Sequence, residues 1–182
     1  MKYLLENEET ERLLFRKIEE SDFNDWLEFH VAPITSQHWI SELQSPEIEC
    51  RNWYKKQFHR YHNDLGGMNA LIDKKTHKLV GHCGLLVQHV DHLKELEIGY
   101  SLLPEYWNKG FATEAAKKCR DFAFENNFAN SLISIISLTN IPSEMVAIKN
   151  GMKIDKTTVY NNNHVNIFRI YKSEWDALKT NT

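Results

Sequence analysis

Hydrophobic and polar positions change period several times along the chain, and each change predicts an element. Residues 11–18 alternate, with Leu14, Arg16 and Ile18 set against Leu13, Phe15 and Lys17, which predicts a first strand. Ser21 is expected to cap a following helix that carries Phe23, Trp26, Leu27 and His30 at helical spacing. A second helix is predicted from Ser45, with Pro46 at its first position and Glu47 and Glu49 in its first turn. It runs to about Asn63, and Trp53, Phe58 and Tyr61 supply its aromatic bulk. Residues 31–43 between the two helices carry no clear period.

Strand patterns dominate the middle. Residues 67–73 and 78–89 are predicted strands joined by Lys74-Lys75-Thr76-His77 as a hairpin loop, and residues 95–103 are a third run closed by Pro104. Residues 110–126 then switch to helical spacing: Ala112, Ala115, Ala116, Cys119, Phe122 and Ala123 share one apolar face. Small residues there let a helix lie close to a sheet. Residues 132–138 read as a buried strand, and residues 140–150 as a short helix with Pro142 near its start and Gly151 as its stop. Residues 153–160 and 164–171 flank Asn161-Asn162-Asn163 as another hairpin, and residues 173–178 predict a small terminal helix. The sum is a mixed α/β (α+β) layer structure, mostly hairpin-linked, with a β-α-β-α-β stretch in its second half; a doubly wound fold would alternate throughout. No repeat, low-complexity tract or Pro/Gly/Ser-rich linker interrupts it, so residues 1–182 are expected to form a single domain.

Composition narrows the function classes. A net charge of -3 gives no basic footprint, which disfavours nucleic-acid binding. The three cysteines, Cys50, Cys83 and Cys119, lack metal spacing and read as buried or idle thiols of a reducing cytosol. His82, His89 and His92 also lack convincing ligand spacing, so no metal site is expected. The first residues turn acidic at Glu6, Glu8 and Glu9, no signal-peptide core follows, and no apolar run reaches membrane-spanning length. A cytoplasmic protein without membrane contact is the expectation.

The candidate chemistry lies in residues 97–119, where a strand ends at a proline, a short loop follows, and a helix starts at Gly110-Phe111-Ala112. Unpaired N–H groups at a helix N-terminus point outward, and the helix dipole favours an anion there. Gly110 lets the backbone turn close to a ligand, Ala112 keeps the approach free of bulk, and Lys109 adds positive charge. A carboxylate facing that anion would repel it. Glu114 is therefore expected to point away, supported by the dipole and by Lys118 one turn on. A P-loop is excluded, because no Gly-Lys-Ser/Thr ending follows Gly110.

In family order, the chain shows Thr10-Glu11-Arg12-Leu13, Leu79-Val80-Gly81-His82-Cys83-Gly84, Glu97-Ile98-Gly99-Tyr100, Trp107-Asn108-Lys109-Gly110-Phe111-Ala112-Thr113-Glu114-Ala115, Asn140-Ile141-Pro142-Ser143 and Lys149-Asn150-Gly151-Met152. This ordered set resembles the GCN5-related N-acetyltransferases (GNAT), in particular the ribosomal-protein N-terminal (RimJ/RimL-like) branch. The resemblance implies a central mixed sheet of about six to seven strands, mainly antiparallel, splayed in the middle and flanked by helices. It also implies acetyl-CoA as acetyl donor and an amine as acceptor, either a protein N-terminus or a small amine such as a polyamine, with a homodimer left open. A non-catalytic acyl-CoA-binding module would share the same loop.

The resemblance further implies site residues. Ile98, Gly99, Tyr100, Trp107, Asn108, Lys109, Gly110, Phe111, Ala112, Thr113 and Asn140 are expected at the cofactor, with N–H groups near Ile98 and Gly99 stabilising an oxyanion. Trp107 stands where the family usually has Gln or Arg, which removes one side-chain donor and leaves the backbone cradle. In the family the amine attacks the thioester directly, and an amine protonated at neutral pH must first lose a proton. Glu97 is the implied base, sharing one strand face with Glu95 opposite Leu96 and Ile98; a solvated edge-strand carboxylate is the competing reading. Ser143 is implied as proton donor to the leaving thiolate, and helix capping is its alternative. Trp26, Trp39, Trp53 and Tyr61 come from the region that walls the acceptor in relatives, although core packing is the commoner use of such residues. A glycine inside a strand, here Gly99, predicts a bulge that opens the sheet.

Overall fold

The computed structural model describes residues 2–39 and 44–180. Residues 40–43, part of the stretch without clear period, lie outside the described residues, as do Met1 and the last two residues. Seven strands form one sheet: β1 (Leu13–Arg16), β2 (Gly66–Asp73), β3 (Leu79–Val90), β4 (Leu93–Leu102), β5 (Ser131–Ser137), β6 (Lys153–Tyr160) and β7 (Asn163–Tyr171). Their order is β1-β2-β3-β4-β5-β7-β6, and every pairing is antiparallel except β4 with β5. The expected mixed and mainly antiparallel sheet is therefore present.

Helices cover both faces. On one side, α1 (Phe23–Val31) and α2 (Pro46–His62) bury Trp26 and Tyr54 against Met68, Ala70 and Leu86 of the sheet. On the other, α3 (Phe111–Glu125), α4 (Ile141–Lys149) and α5 (Lys172–Thr180) close a larger core around Phe15, Leu85, Ile98, Leu132 and Phe168. The small face of α3 does admit close packing, with Ala115, Ala116, Cys119 and Ala123 fully buried. Phe111 and Phe124 join them, whereas Ala112 and Phe122 are only half-buried, so the buried stripe is rotated slightly from the predicted one. All three cysteines are buried free thiols, and Cys83 on β3 meets Cys119 on α3 at 3.5 Å between sulfurs. No helix among the described residues is long and apolar enough to cross a membrane.

Three local predictions need correction. The first strand is four residues long instead of eight, because the chain folds back beyond Arg16, whose guanidinium binds Asp22 at 2.6 and 2.7 Å. Ser21 does not cap α1; it sits inside a 3₁₀ turn (Glu20–Asp22), where the Asp22 carboxylate accepts the Glu19 N–H at 2.9 Å. Gly99 forms no bulge, for the β3–β4 register runs unbroken from Gly81↔Leu102 to Val90↔Leu93. What excludes a side chain there is packing: a Cβ on Gly99 would lie 2.8 Å from Leu86 Cδ1 and 3.0 Å from Met68 Cε. Ser45 does cap α2, its hydroxyl accepting the Ile48 N–H at 3.4 Å.

Candidate active site at the split between two central strands

The parallel contact of β4 with β5 consists of one register pair, Glu97↔Ile133. Beyond it, β4 stays on β3 and β5 stays on β7, so the sheet forks. Main-chain groups of every second residue on a strand point to the same side. Ile98 turns its carbonyl towards β5, where Ser134 Oγ donates to it at 2.8 Å, and Leu102 turns its carbonyl to the Trp107 indole N–H at 2.7 Å. The N–H and C=O of Tyr100, between them, therefore face the gap, while Gly99 is turned towards Gly84 of β3. Of the two N–H groups expected near an oxyanion, that of Gly99 points the wrong way. The Tyr100 side chain spans the fork, its hydroxyl donating to the Ser143 carbonyl at 2.7 Å.

At the far end of β4, residues 107–110 lead into α3 through two left-handed positions, Asn108 at φ 59° and Gly110 at φ 82°. A Cβ on Gly110 would meet only Arg12 Nη2 at 3.4 Å, so the requirement for glycine there is conformational. Gly110 makes no side-chain cap, and the first helical bond runs from Glu114 N–H to Gly110 C=O at 3.0 Å. The N–H groups of Phe111, Ala112 and Thr113 are left directed out of the helix end. Asn108 and Lys109 are exposed beside them, with the Lys109 ammonium 5.7 Å from the Tyr106 ring. The side chain of Trp107 binds its own strand and offers the loop no donor.

Glu114 is held away from this end by a partner the sequence did not single out. Its carboxylate accepts from Arg12 N at 2.9 Å and from Arg12 Nε at 2.6 Å, as well as from Thr10 Oγ1. Burial raises its pKa, but the bonds from Thr10 and Arg12 outweigh burial and hold it below the ordinary carboxylate value. Lys118, the expected partner, pairs with Glu8 at 2.6 Å instead. Arg12 Nη1 also donates to the Lys109 carbonyl at 2.9 Å, and its guanidinium stacks 4.2 Å from the Phe111 ring centroid. One arginine thereby fixes both the loop and the helix start. A donor set of outward N–H groups and one lysine, with the Glu114 carboxylate neutralised by Arg12, fits a phosphate group.

Glu97 stands at the apex of the fork. The edge-strand reading fails, since β4 is interior to the sheet and Glu97 is half-buried. Gln88 Nε2 donates to its carboxylate at 2.6 Å, and the Ile135 N–H of β5 donates as well. Burial pushes its pKa above the ordinary glutamate value against the Gln88 bond and the charges of Arg60 and Lys56. The Gln88 amide cannot be turned round: its Oε1 accepts from Arg60 Nη2 at 3.0 Å and from Tyr160 OH at 3.1 Å. Glu95 shares the strand face as predicted, but is bound by Arg169 at 2.7 and 3.0 Å.

Asn140 and Ser143 occupy the first turn of α4. Asn140 Oδ1 accepts the Ser143 N–H at 3.2 Å, so Asn140 is the cap and Ser143 is the capped residue, which leaves the Ser143 hydroxyl free of that task. Trp26 and Tyr61 are core residues, Trp53 is half-buried and Trp39 is exposed. His82 is fully buried beside Trp26 and Trp53, with ring centroids 4.2 and 4.7 Å away, while His89 and His92 are exposed near the β3–β4 turn. The three histidines do not converge. Gln88, Arg60, Lys56 and Arg12 received no role from the sequence. Gln88 had one visible signal, as the first polar side chain after a run of apolar residues in β3.

A family model described as an acetyltransferase (GNAT) domain matches residues 12–153. The uncharacterized protein YkkB of Bacillus subtilis is 32% identical over 111 residues, a match that spans 60% of this chain and 62% of that protein. Among solved structures, an acetyltransferase from Agrobacterium tumefaciens superposes with a TM-score of 0.76 at 23% identity, covering 94% of this chain and 97% of that one. A spermidine N-acetyltransferase from Vibrio cholerae, solved with CoA and spermine, gives 0.71 at 17% identity, covering 91% and 99%. These two are likenesses of fold.

Proposed function

The chain belongs to the GNAT acetyltransferase family, and from that premise we propose that it moves an acetyl group from acetyl-CoA to an amine. The observation that carries the reading is the fork itself, with Glu97 at its apex and the outward N–H groups of α3 at its open end. Acetyl-CoA supplies an activated acyl group as its thioester. The N–H groups of Phe111, Ala112 and Thr113, with Lys109, would receive its phosphates, and the gap-facing main chain of Tyr100 would run beside its arm. Trp107, Asn108 and Gly110 shape that loop, while Ile98, Gly99 and Asn140 set the walls of the fork.

Glu97 would take the proton from the acceptor amine. Its raised pKa suits this work, because a stronger base shares the proton more evenly with an amine. Gln88 orients the carboxylate, and the Tyr100 N–H replaces that of Gly99 as the donor to developing negative charge. The hydroxyl of Ser143, in the first turn of α4, would serve the departing thiolate. The acceptor we propose first is the α-amine of a protein N-terminus, as the family resemblance implies; a small amine is the alternative. An α-amine reaches its free base more readily than a lysine, with a pKa lower by about 2 to 3 units.

A screen of acetyl-CoA turnover against N-terminal peptides, polyamines and amino acids, read by released thiol, tests this proposal. Amine-dependent thiol release is expected. Tight acetyl-CoA binding with no turnover on any class would instead identify an acyl-CoA-binding module.

A further inference from the structure

Helix α2 presents Lys56 and Arg60 one turn apart, and so on the same face, towards Glu97. Arg60 is buried and spends its guanidinium on neutral acceptors: Nη1 binds the carbonyls of Leu65 at 3.2 Å and Val87 at 3.1 Å, and Nη2 binds Gln88. Among the described residues it has no carboxylate in direct contact. Lys56, one turn before Arg60 on α2, is exposed and has no hydrogen bond or ion pair among the described residues, and the Glu97 charge acts on it. Glu95, next on the same strand face, is already bound by Arg169, which also binds Asp155 at 3.0 Å. Two cations of α2, one of them linked to Glu97 through Gln88, therefore face one carboxylate. Such a site repels a second positive charge on the acceptor and attracts a negative one.

We propose that the acceptor amine carries a carboxylate close to its nitrogen, and that Lys56 is the residue that receives it. The inference rests on the acyl-transfer reading of the same site. The amine is drawn to Glu97 and the carboxylate to Lys56, so the pair fixes the acceptor's direction in the groove. A polyamine has no group for Lys56 and brings a further cation against it. The carboxylate has two sources, the α-carboxylate of a free amino acid or an acidic side chain on the first residue of a peptide.

Matched probes separate them. One arm compares L-alanine with L-alaninamide, with rates corrected for the fraction of free amine. The other compares the amidated peptides Glu-Ala-Ala and Gln-Ala-Ala, and spermidine serves as the cationic probe. In at least one arm the acidic form is expected to lead in kcat/KM by about 10-fold or more, the scale of one hydrogen bond to a charged group. Lys56→Met, which keeps the aliphatic stem, should raise KM for that acidic acceptor by the same factor and change KM for the neutral analogue far less. Because the Lys56 charge also lowers the Glu97 pKa, both acceptors should share any shift in the acidic limb of the pH–rate profile. Lys56→Glu should raise it further and improve turnover of spermidine. Neutral probes or spermidine used as well as the acidic ones by the wild-type protein would overturn the proposal, as would an acid preference that survives Lys56→Met. Thiol release with none of the probes would overturn the acyl-transfer reading itself, and this inference with it.

Discussion

The two ends of the fork are built from different materials. At the α3 end the candidate binding groups are main-chain N–H groups, placed by Gly110 at φ 82° and clamped by Arg12. At the α2 end the candidate groups are side chains in a chain of contacts, Arg60 to Gln88 to Glu97, drawn from three separate elements. A backbone site is set by local conformation and changes little with most side-chain replacements. A side-chain site depends on how a helix docks on a sheet, so it varies readily while the fold stays put. On the proposed reading, the difference would place affinity for the donor at one end, and proton transfer and acceptor choice at the other.

Breaking each end should therefore give separate phenotypes. The largest effect is expected from Glu97→Gln: turnover falls by about 10²- to 10⁴-fold, the usual scale of general-base catalysis, while CoA affinity by calorimetry stays near wild type. Gly110→Val forces a branched side chain into a left-handed position and is expected to weaken CoA binding by at least about 10-fold, since that conformation alone costs roughly 1–2 kcal/mol. Retained affinity would remove the cradle from the account.

Gln88→Leu sharpens the comparison by touching the carboxylate only indirectly. The Gln88 bond holds down a Glu97 pKa that burial raises, so its loss should move the acidic limb of the pH–rate profile to higher pH. A drop in kcat of about 10-fold with unchanged CoA affinity is expected alongside, the scale of one hydrogen bond to a charged group. An unmoved limb would mean that the limb belongs to another group.

The smallest effect concerns neither end. His82 is fully buried with both ring nitrogens unpartnered, and burial pushes its pKa down to about 3. In the unfolded chain it titrates near 6.5. Stability from its neutral form is complete above that value and is lost as pH falls from there towards 3, by up to about 1.4 kcal/mol per pH unit. His82→Phe should flatten this slope in denaturant titrations between pH 6 and 4, and an unchanged slope would assign the acid lability elsewhere.

The sequence made the backbone end legible because its signals are contiguous: a strand closed by Pro104, then a loop, then Gly110 and a small-faced helix. Most element boundaries were readable for the same reason, since caps such as Ser45 and the hairpin turns are local. The fork was implied by resemblance, but its cause was misplaced. Gly99 does not bulge; β4 and β5 follow different neighbours after one shared pair, a long-range fact with no local signature. Glu97 was visible as a carboxylate on a strand, but Gln88, Arg60 and Lys56 were not, because only the docking of α2 brings them to it. Glu114 was expected to point away from the helix end, where Thr10 and Arg12 do hold it, but it was given the wrong partner. Arg12 lies 102 positions away in sequence, whereas Lys118 was the near neighbour that spacing rules favour.

The most direct test of this division of labour is to measure turnover and acetyl-CoA affinity side by side on Glu97→Gln. The account predicts an acetyl-CoA dissociation constant within about twofold of wild type and a kcat reduced by about 10²-fold or more. A kcat that stays at the wild-type level, or an affinity that collapses together with it, would contradict the assignment of proton transfer to the apex of the fork.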